Sequence, residues 1–258
     1  MKFILKTSVY SILAFVSLAS MATDSSANFV EFQAPDIAVY EQQGEFSGIF
    51  ILEPLELGMA APMRRVLNRI LKRNMEGFAI VRMVLPGIDR LRQSPKSTIE
   101  TGKEIANNLS KVRLKQTVIG NNSESVFLVA RGQNVITAGD IGRFTNSYAV
   151  MNPELVIANI TDTSITFELE LDIEFGTGRV SSRDNKPLNP RPGEFGVTAQ
   201  FSPVESFDIR ADSKGESYDR LTIDITTDGS RAPVDLLRDI TEAILNSFGP
   251  LGESLEMR

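Results

Sequence analysis

MAAPMRRVLNRILKRNMEG, residues Met59 to Gly77, holds the most regular pattern in the chain. Met63, Val66, Leu67, Ile70, Leu71 and Met75 recur at the i, i+3, i+4, i+7 spacing of one helical face, and Arg64, Arg65, Arg69, Lys72 and Arg73 take the opposite side. Pro62 suits a first turn, where its missing N–H costs nothing, and Gly77 suits the C′ position that ends a helix. Read alone, the pattern describes a helix packed on a core with a solvated basic face. It equally offers an apolar stripe and a cationic flank to a partner.

Working outward, the chain of 258 residues is long enough for one large domain or two small ones. Hydrophobic residues make up 42% and charged residues 23%, ordinary globular values. The net charge of −6 argues against a broad nucleic-acid surface, so the basic helix is a local exception. Cysteine and histidine are absent. That excludes disulfides, thiol nucleophiles, Ser-His-Asp triads and the commonest metal ligands. No glycine-rich phosphate loop with its lysine occurs, and neighbouring acids among Glu168, Glu170, Asp172 and Glu174 sit about 7 Å apart on an extended face. We expect no catalytic residue, no metal site and no cofactor.

In chain order, residues 1–28 begin with Lys2 and Lys6, an apolar Val9–Leu18 run and a small-x-small Ser20-Met21-Ala22 pattern. They read as a secretory signal or as an over-extended start preceding Met21. Strand-like stretches follow at Ile37–Tyr40 and Phe46–Leu52, then the basic helix, then β-prone Phe78–Leu85. Ser97-Thr98-Ile99-Glu100 has capping-box form and predicts a helix to about Leu109. Val112–Ile119 and Val126–Ala130 flank Gly120-Asn121-Asn122 as a hairpin, Ala138-Gly139-Asp140 is a turn, and Leu155–Ile160 a strand. Ile165–Phe175 alternates apolar and acidic residues, predicting a half-buried strand with a solvated acidic face. Gly176–Gly196 reads as a long exposed loop. Leu221, Ile223 and Ile225 mark another strand, and Pro233 opens a helix with the stripe Leu236, Leu237, Ile240, Ala243, Ile244 and Phe248, stopped by Gly249-Pro250. The order contains no β-α-β repeat and predicts an α+β fold, its two end helices flanking a β-rich insertion.

Several stretches together resemble the N-terminal domain of the bacterial RNA polymerase α subunit. They begin at Phe50-Ile51-Leu52-Glu53-Pro54-Leu55-Glu56-Leu57-Gly58 and continue through Glu76–Ile80, Asn108-Leu109, Ala138–Ile141, Asn152–Ala158 and Phe201–Val204. The fullest match is Tyr218-Asp219-Arg220-Leu221-Thr222-Ile223-Asp224-Ile225-Thr226-Thr227-Asp228-Gly229-Ser230. The resemblance implies a dimerisation domain in two parts, residues 29–76 and 199–249, interrupted by an insertion domain at 77–198, with a tail at 250–258. It implies a homodimer contact through Met63, Val66, Leu67, Ile70, Leu71, Leu237, Ile240, Ile244 and Phe248. It implies contact with the large β and β′ polymerase subunits through Arg69 and the glycine loop holding Gly176 and Gly178. DNA is then met only through the complex, since the family's DNA-contacting C-terminal domain has no counterpart here, and no membrane is involved. The chain differs from the family where Arg64-Arg65 replace a Gly-Asn pair and Asn68 replaces an arginine. The implied role is a non-catalytic, cytoplasmic scaffold subunit; the rival from another class is an exported β-rich binding protein, periplasmic or secreted.

Overall fold

The computed structural model describes residues 2–4, 37–215 and 217–256, with side chains described for 41–215, 217–244 and 246. The signal-like reading of residues 1–28 therefore lies outside the described residues, apart from a three-residue strand. In chain order the strands are β1 (Lys2–Ile4), β2 (Ile37–Gln42), β3 (Ser47–Leu55), β4 (Glu76–Val84), β5 (Leu114–Gln116), β6 (Ser123–Ala130), β7 (Val135–Thr137) and β8 (Tyr148–Val150). They continue as β9 (Val156–Asn159), β10 (Phe167–Thr177), β11 (Arg179–Val180), β12 (Glu194–Gly196), β13 (Ala199–Gln200), β14 (Val204–Lys214) and β15 (Tyr218–Thr227). The helices are α1 (Ala60–Arg73), α2 (Gly102–Leu109), α3 (Ala138–Gly142) and α4 (Pro233–Glu256). The fold is α+β with antiparallel sheets. It divides into two compact units: Met1–Ile70 with Val204–Thr227 and Ala232–Arg258, and Leu71–Pro203 with Asp228–Arg231.

The first unit is built on a five-stranded antiparallel sheet in the order β1-β2-β3-β15-β14. Strand β15 has the alternation its sequence announces: Leu221, Ile223 and Ile225 are buried, and Thr222, Asp224 and Thr226 are half-buried. Helix α4 lies against β3 and β15, burying Leu236 and Ile240. It continues through Gly249-Pro250 to Glu256 instead of stopping there. A proline removes one backbone donor and can be carried by a long helix at a local kink.

The second unit holds a six-stranded sheet in the order β6-β10-β4-β5-β8, with β12 also paired to β4, and two small ribbons, β11-β13 and β7-β9. Its core gathers Ile80, Met83, Ile105, Leu109, Leu128 and Leu171. Strand β10 buries Phe167, Leu169, Leu171 and Ile173, as the alternation predicts. Its acidic face is less solvated than expected: Glu170 pairs with Arg191 at 2.7 Å, and Arg82 holds Asp172 and Glu174, each at 2.9 Å.

Four local expectations are corrected. The hairpin at Gly120 does not form, because β5 pairs with β8 and β6 pairs with β10. Asn121 instead anchors its turn, its carbonyl accepting from Gln116 Nε2 (2.8 Å) and the Tyr148 hydroxyl (2.9 Å). The capping box belongs to Thr101 and Glu104, four residues after the predicted one. Glu100 is not available to cap, since its carboxylate accepts from Asn159 N (2.7 Å) and Asn159 Nδ2 (2.6 Å) on β9. Ala138-Gly139-Asp140 opens a short helix, with Asp140 accepting from the Thr137 amide. The stretch after Gly176 is not one loop, because β11 and β12 are stitched into it.

Candidate partner-binding surfaces

Helix α1 contains no acidic residue, so nothing within it balances the positive end of its dipole. A distant carboxylate does so. Asp219 on β15 accepts from the amides of Gly58 (2.8 Å) and Ala60 (3.2 Å) at the helix start, and from the Ser213 hydroxyl at 2.7 Å. The Ser213 hydroxyl and then the two amides hold this carboxyl below the usual carboxylate range, against the opposing effect of burial. Beside it, Arg220 donates to Glu53 of β3, at a register shift in the β3–β15 pairing that falls around the cis Glu53–Pro54 bond. The stretches around Glu53 and Asp219, far apart in sequence, thus meet on adjacent strands. Sequence reasoning recognised both strings but assigned neither a task, because the pairing of Glu53 with Arg220, 167 positions apart, leaves no local signal.

With α1 so fixed, its apolar stripe divides. Leu67 and Leu71 are buried, at 8% and 2% exposure, while Met63 and Ile70 are half-buried and Val66 is 48% exposed. Arg64, Arg65 and Arg69 are exposed and have no ion-pair partner among the described residues; beyond the helix's own bonds, the Arg64 carbonyl accepts from Asn68 Nδ2 at 2.9 Å. On α4, Ile240 is buried, and Leu237 and Ile244 are half-buried. The Phe248 side chain lies outside the described residues. The nine residues expected at a dimer contact therefore comprise some that are buried and some that remain open.

The glycine loop is fixed by close packing. Gly178 is buried at φ +61°; its amide donates to the Met75 carbonyl (2.9 Å), and its carbonyl accepts from Phe201 N (2.9 Å). A Cβ on Gly178 would fall 2.6 Å from the Arg73 carbonyl oxygen, and one on Gly176 would fall 2.6 Å from the Phe201 ring. Gly77 is not a helix stop: it lies in β4 opposite Gly176, and its Cβ would sit 2.0 Å from the Phe201 carbonyl oxygen. The residues this turn presents outward are Thr177 and Arg179. Among the described residues, no helix is long and apolar enough to cross a membrane, and no group of three or more carboxylates is placed to hold a metal.

No protein-family model matches the sequence. Curated relatives do. The α subunit of DNA-directed RNA polymerase from Flavobacterium psychrophilum is 33% identical over 222 residues, covering 84% of this chain and 67% of the relative. That of Cytophaga hutchinsonii is 31% identical over 225 residues (86% and 68%), and that of Bacteroides fragilis 30% over 223 residues (84% and 67%). Similarity of that extent, spread over both units, shows that the chain belongs to the family of α subunits of DNA-directed RNA polymerase, proteins of transcription.

Proposed function

We propose that this α-family chain homodimerises through α1 and α4 and serves as the non-catalytic scaffold on which the large β and β′ subunits of a cytoplasmic DNA-directed RNA polymerase assemble. In this reading the first unit forms the dimer and the insertion, with Arg69 and the turn around Gly176 and Gly178, meets the large subunits. DNA is contacted only through the assembled enzyme.

The observation that carries the reading is the half-used stripe of α1. Leu67 and Leu71 are buried in the protomer, whereas Met63, Val66 and Ile70 leave an apolar ridge beside arginines that have no ion-pair partner among the described residues. Covering such a ridge is favourable at roughly 25 cal/mol per Å² of apolar surface. The arginines suit a partner with carboxylates, which a planar guanidinium can hold in a bidentate fork.

Val66 is exposed in the protomer, so Val66→Asp leaves the fold intact and places a charge in the proposed contact. Sedimentation velocity on the full chain should show a dimer for the wild type and a folded monomer for this variant. A monomeric wild type at tens of micromolar, or a dimer indifferent to Val66→Asp, would falsify the dimer assignment.

A further inference from the structure

The loop that joins β5 to β6, residues 117–122, has no task in the scaffold reading. It presents Val118 and Ile119 outward, at 50% and 96% exposure. Apolar side chains scattered singly over a surface need no explanation. This adjacent pair is set apart by how firmly its backbone is held. The amides of Thr117 and Val118 donate to the Ser147 carbonyl (2.8 and 3.4 Å), and Asn121 Nδ2 donates to the Ser147 hydroxyl (2.6 Å). The Asn121 carbonyl accepts from Gln116 and Tyr148, and the Asn122 carbonyl from the Phe175 amide at 2.9 Å. Gly120, at φ +92°, lets the chain reverse at the tip. A loop tied in this way has given up its conformational freedom on folding, so covering its tip costs little further ordering.

The loop also adjoins the glycine turn. Phe175, whose amide it holds, immediately precedes Gly176 and is 42% exposed. The Phe175 ring lies 5.4 Å from that of Phe78, which lies 5.0 Å from that of Tyr148. The Tyr148 hydroxyl closes the row on Asn121. An aromatic row thus joins the glycine turn to the base of the loop, all within the second unit.

We propose that Val118 and Ile119 are an apolar anchor received in a concave apolar pocket of a large polymerase subunit, beside the glycine turn. This rests on the scaffold reading, in which that turn meets the large subunits, and names the residues that hold the contact. Protein interfaces draw most of their affinity from a few buried anchors, with polar residues at the rim. The glycine turn presents Thr177 and Arg179, which suit a rim but supply no apolar anchor. The neighbouring loop supplies one, already fixed in position. A second copy of this chain is not the occupant, because the dimer contact is assigned to the first unit.

The test uses the tagged full chain in its own cells, with a photo-crosslinking amino acid placed at Ile119 and the adduct identified by mass spectrometry. Irradiation should join the chain to a large polymerase subunit. In parallel, Ile119→Asp should cut recovery of that subunit at least tenfold. Because the position is exposed, the variant should keep the wild-type circular dichroism spectrum and the wild-type dimer in sedimentation velocity. Recovery indifferent to Ile119→Asp, an adduct to a second copy, or no adduct to a polymerase subunit would overturn the anchor and leave the scaffold standing. Wild-type chain recovered with no large subunit would overturn both together.

Discussion

Asp219 ties β15 to the start of α1, and its carboxyl is held below the usual range by Ser213 and two helix amides. A carboxyl depressed on folding stabilises the native state above its unfolded pKa, and that stabilisation is lost as pH falls through the folded value. Asp219→Asn should therefore lower Tm at pH 7, and the gap from wild type should narrow below about pH 4, the unfolded carboxylate range. Thermal melts across that range measure it; a gap independent of pH would remove the charge from the account. The glycines offer a paired test. Gly178→Ala meets both a positive φ and the Arg73 carbonyl, whereas Gly87→Ala has φ +85° but nothing within 4 Å. Urea midpoints should show a loss above about 3 kcal/mol for Gly178, where a clash adds to strain, and roughly 1–2 kcal/mol for Gly87. At this scale the sequence was least legible. Gly77 looked like a helix stop because the Phe201 backbone that presses on it lies 124 positions away in the chain, beyond any local pattern.

Helix α1 and strands β10 and β15 were legible because each buries one face, and burial imprints a period of 3.6 or 2 on the sequence. Leu71 sits on the covered side of α1, so Leu71→Ala should cost about 2–5 kcal/mol in chemical denaturation, as cavity-forming changes do. What periodicity does not encode is which strand pairs with which. β5 and β6 flank an apparent hairpin turn, yet they join different neighbours, because the long alternation of β10 supplies β6 with a full-length partner. The outer face of β10 likewise reads as solvated acid until Arg82 is placed beside it. Arg82 is partly exposed, so each of its pairs is worth at most about 1 kcal/mol. Arg82→Met should destabilise by roughly that amount at low salt and by less at high salt, where screening weakens both the lost attraction and the new repulsion. Equal losses at both salt concentrations would place the effect in packing instead.

Across the whole molecule, the first unit is assembled from the two ends of the chain, closed by Glu53 with Arg220 and by Asp219 with the start of α1. That discontinuity leaves no single motif, only short strings in a fixed order; the family resemblance those strings carry is borne out by the identity to α subunits across 84–86% of the chain. The division of the end-helix stripes between interior and open surface was not legible, because periodicity marks an apolar face without saying what covers it. Arg69 is exposed on α1, so Arg69→Ala should leave folding within about 0.5 kcal/mol of wild type. Truncating one partner of an interfacial charge pair costs roughly 2–5 kcal/mol, so recovery of a large subunit should fall at least tenfold. The direct measurement is native mass spectrometry of the tagged full chain purified from its own cells. The account predicts a complex of two copies of this chain with the large β and β′ subunits, depleted of the large subunits by Arg69→Ala. Wild-type chain recovered without any large polymerase subunit would contradict it.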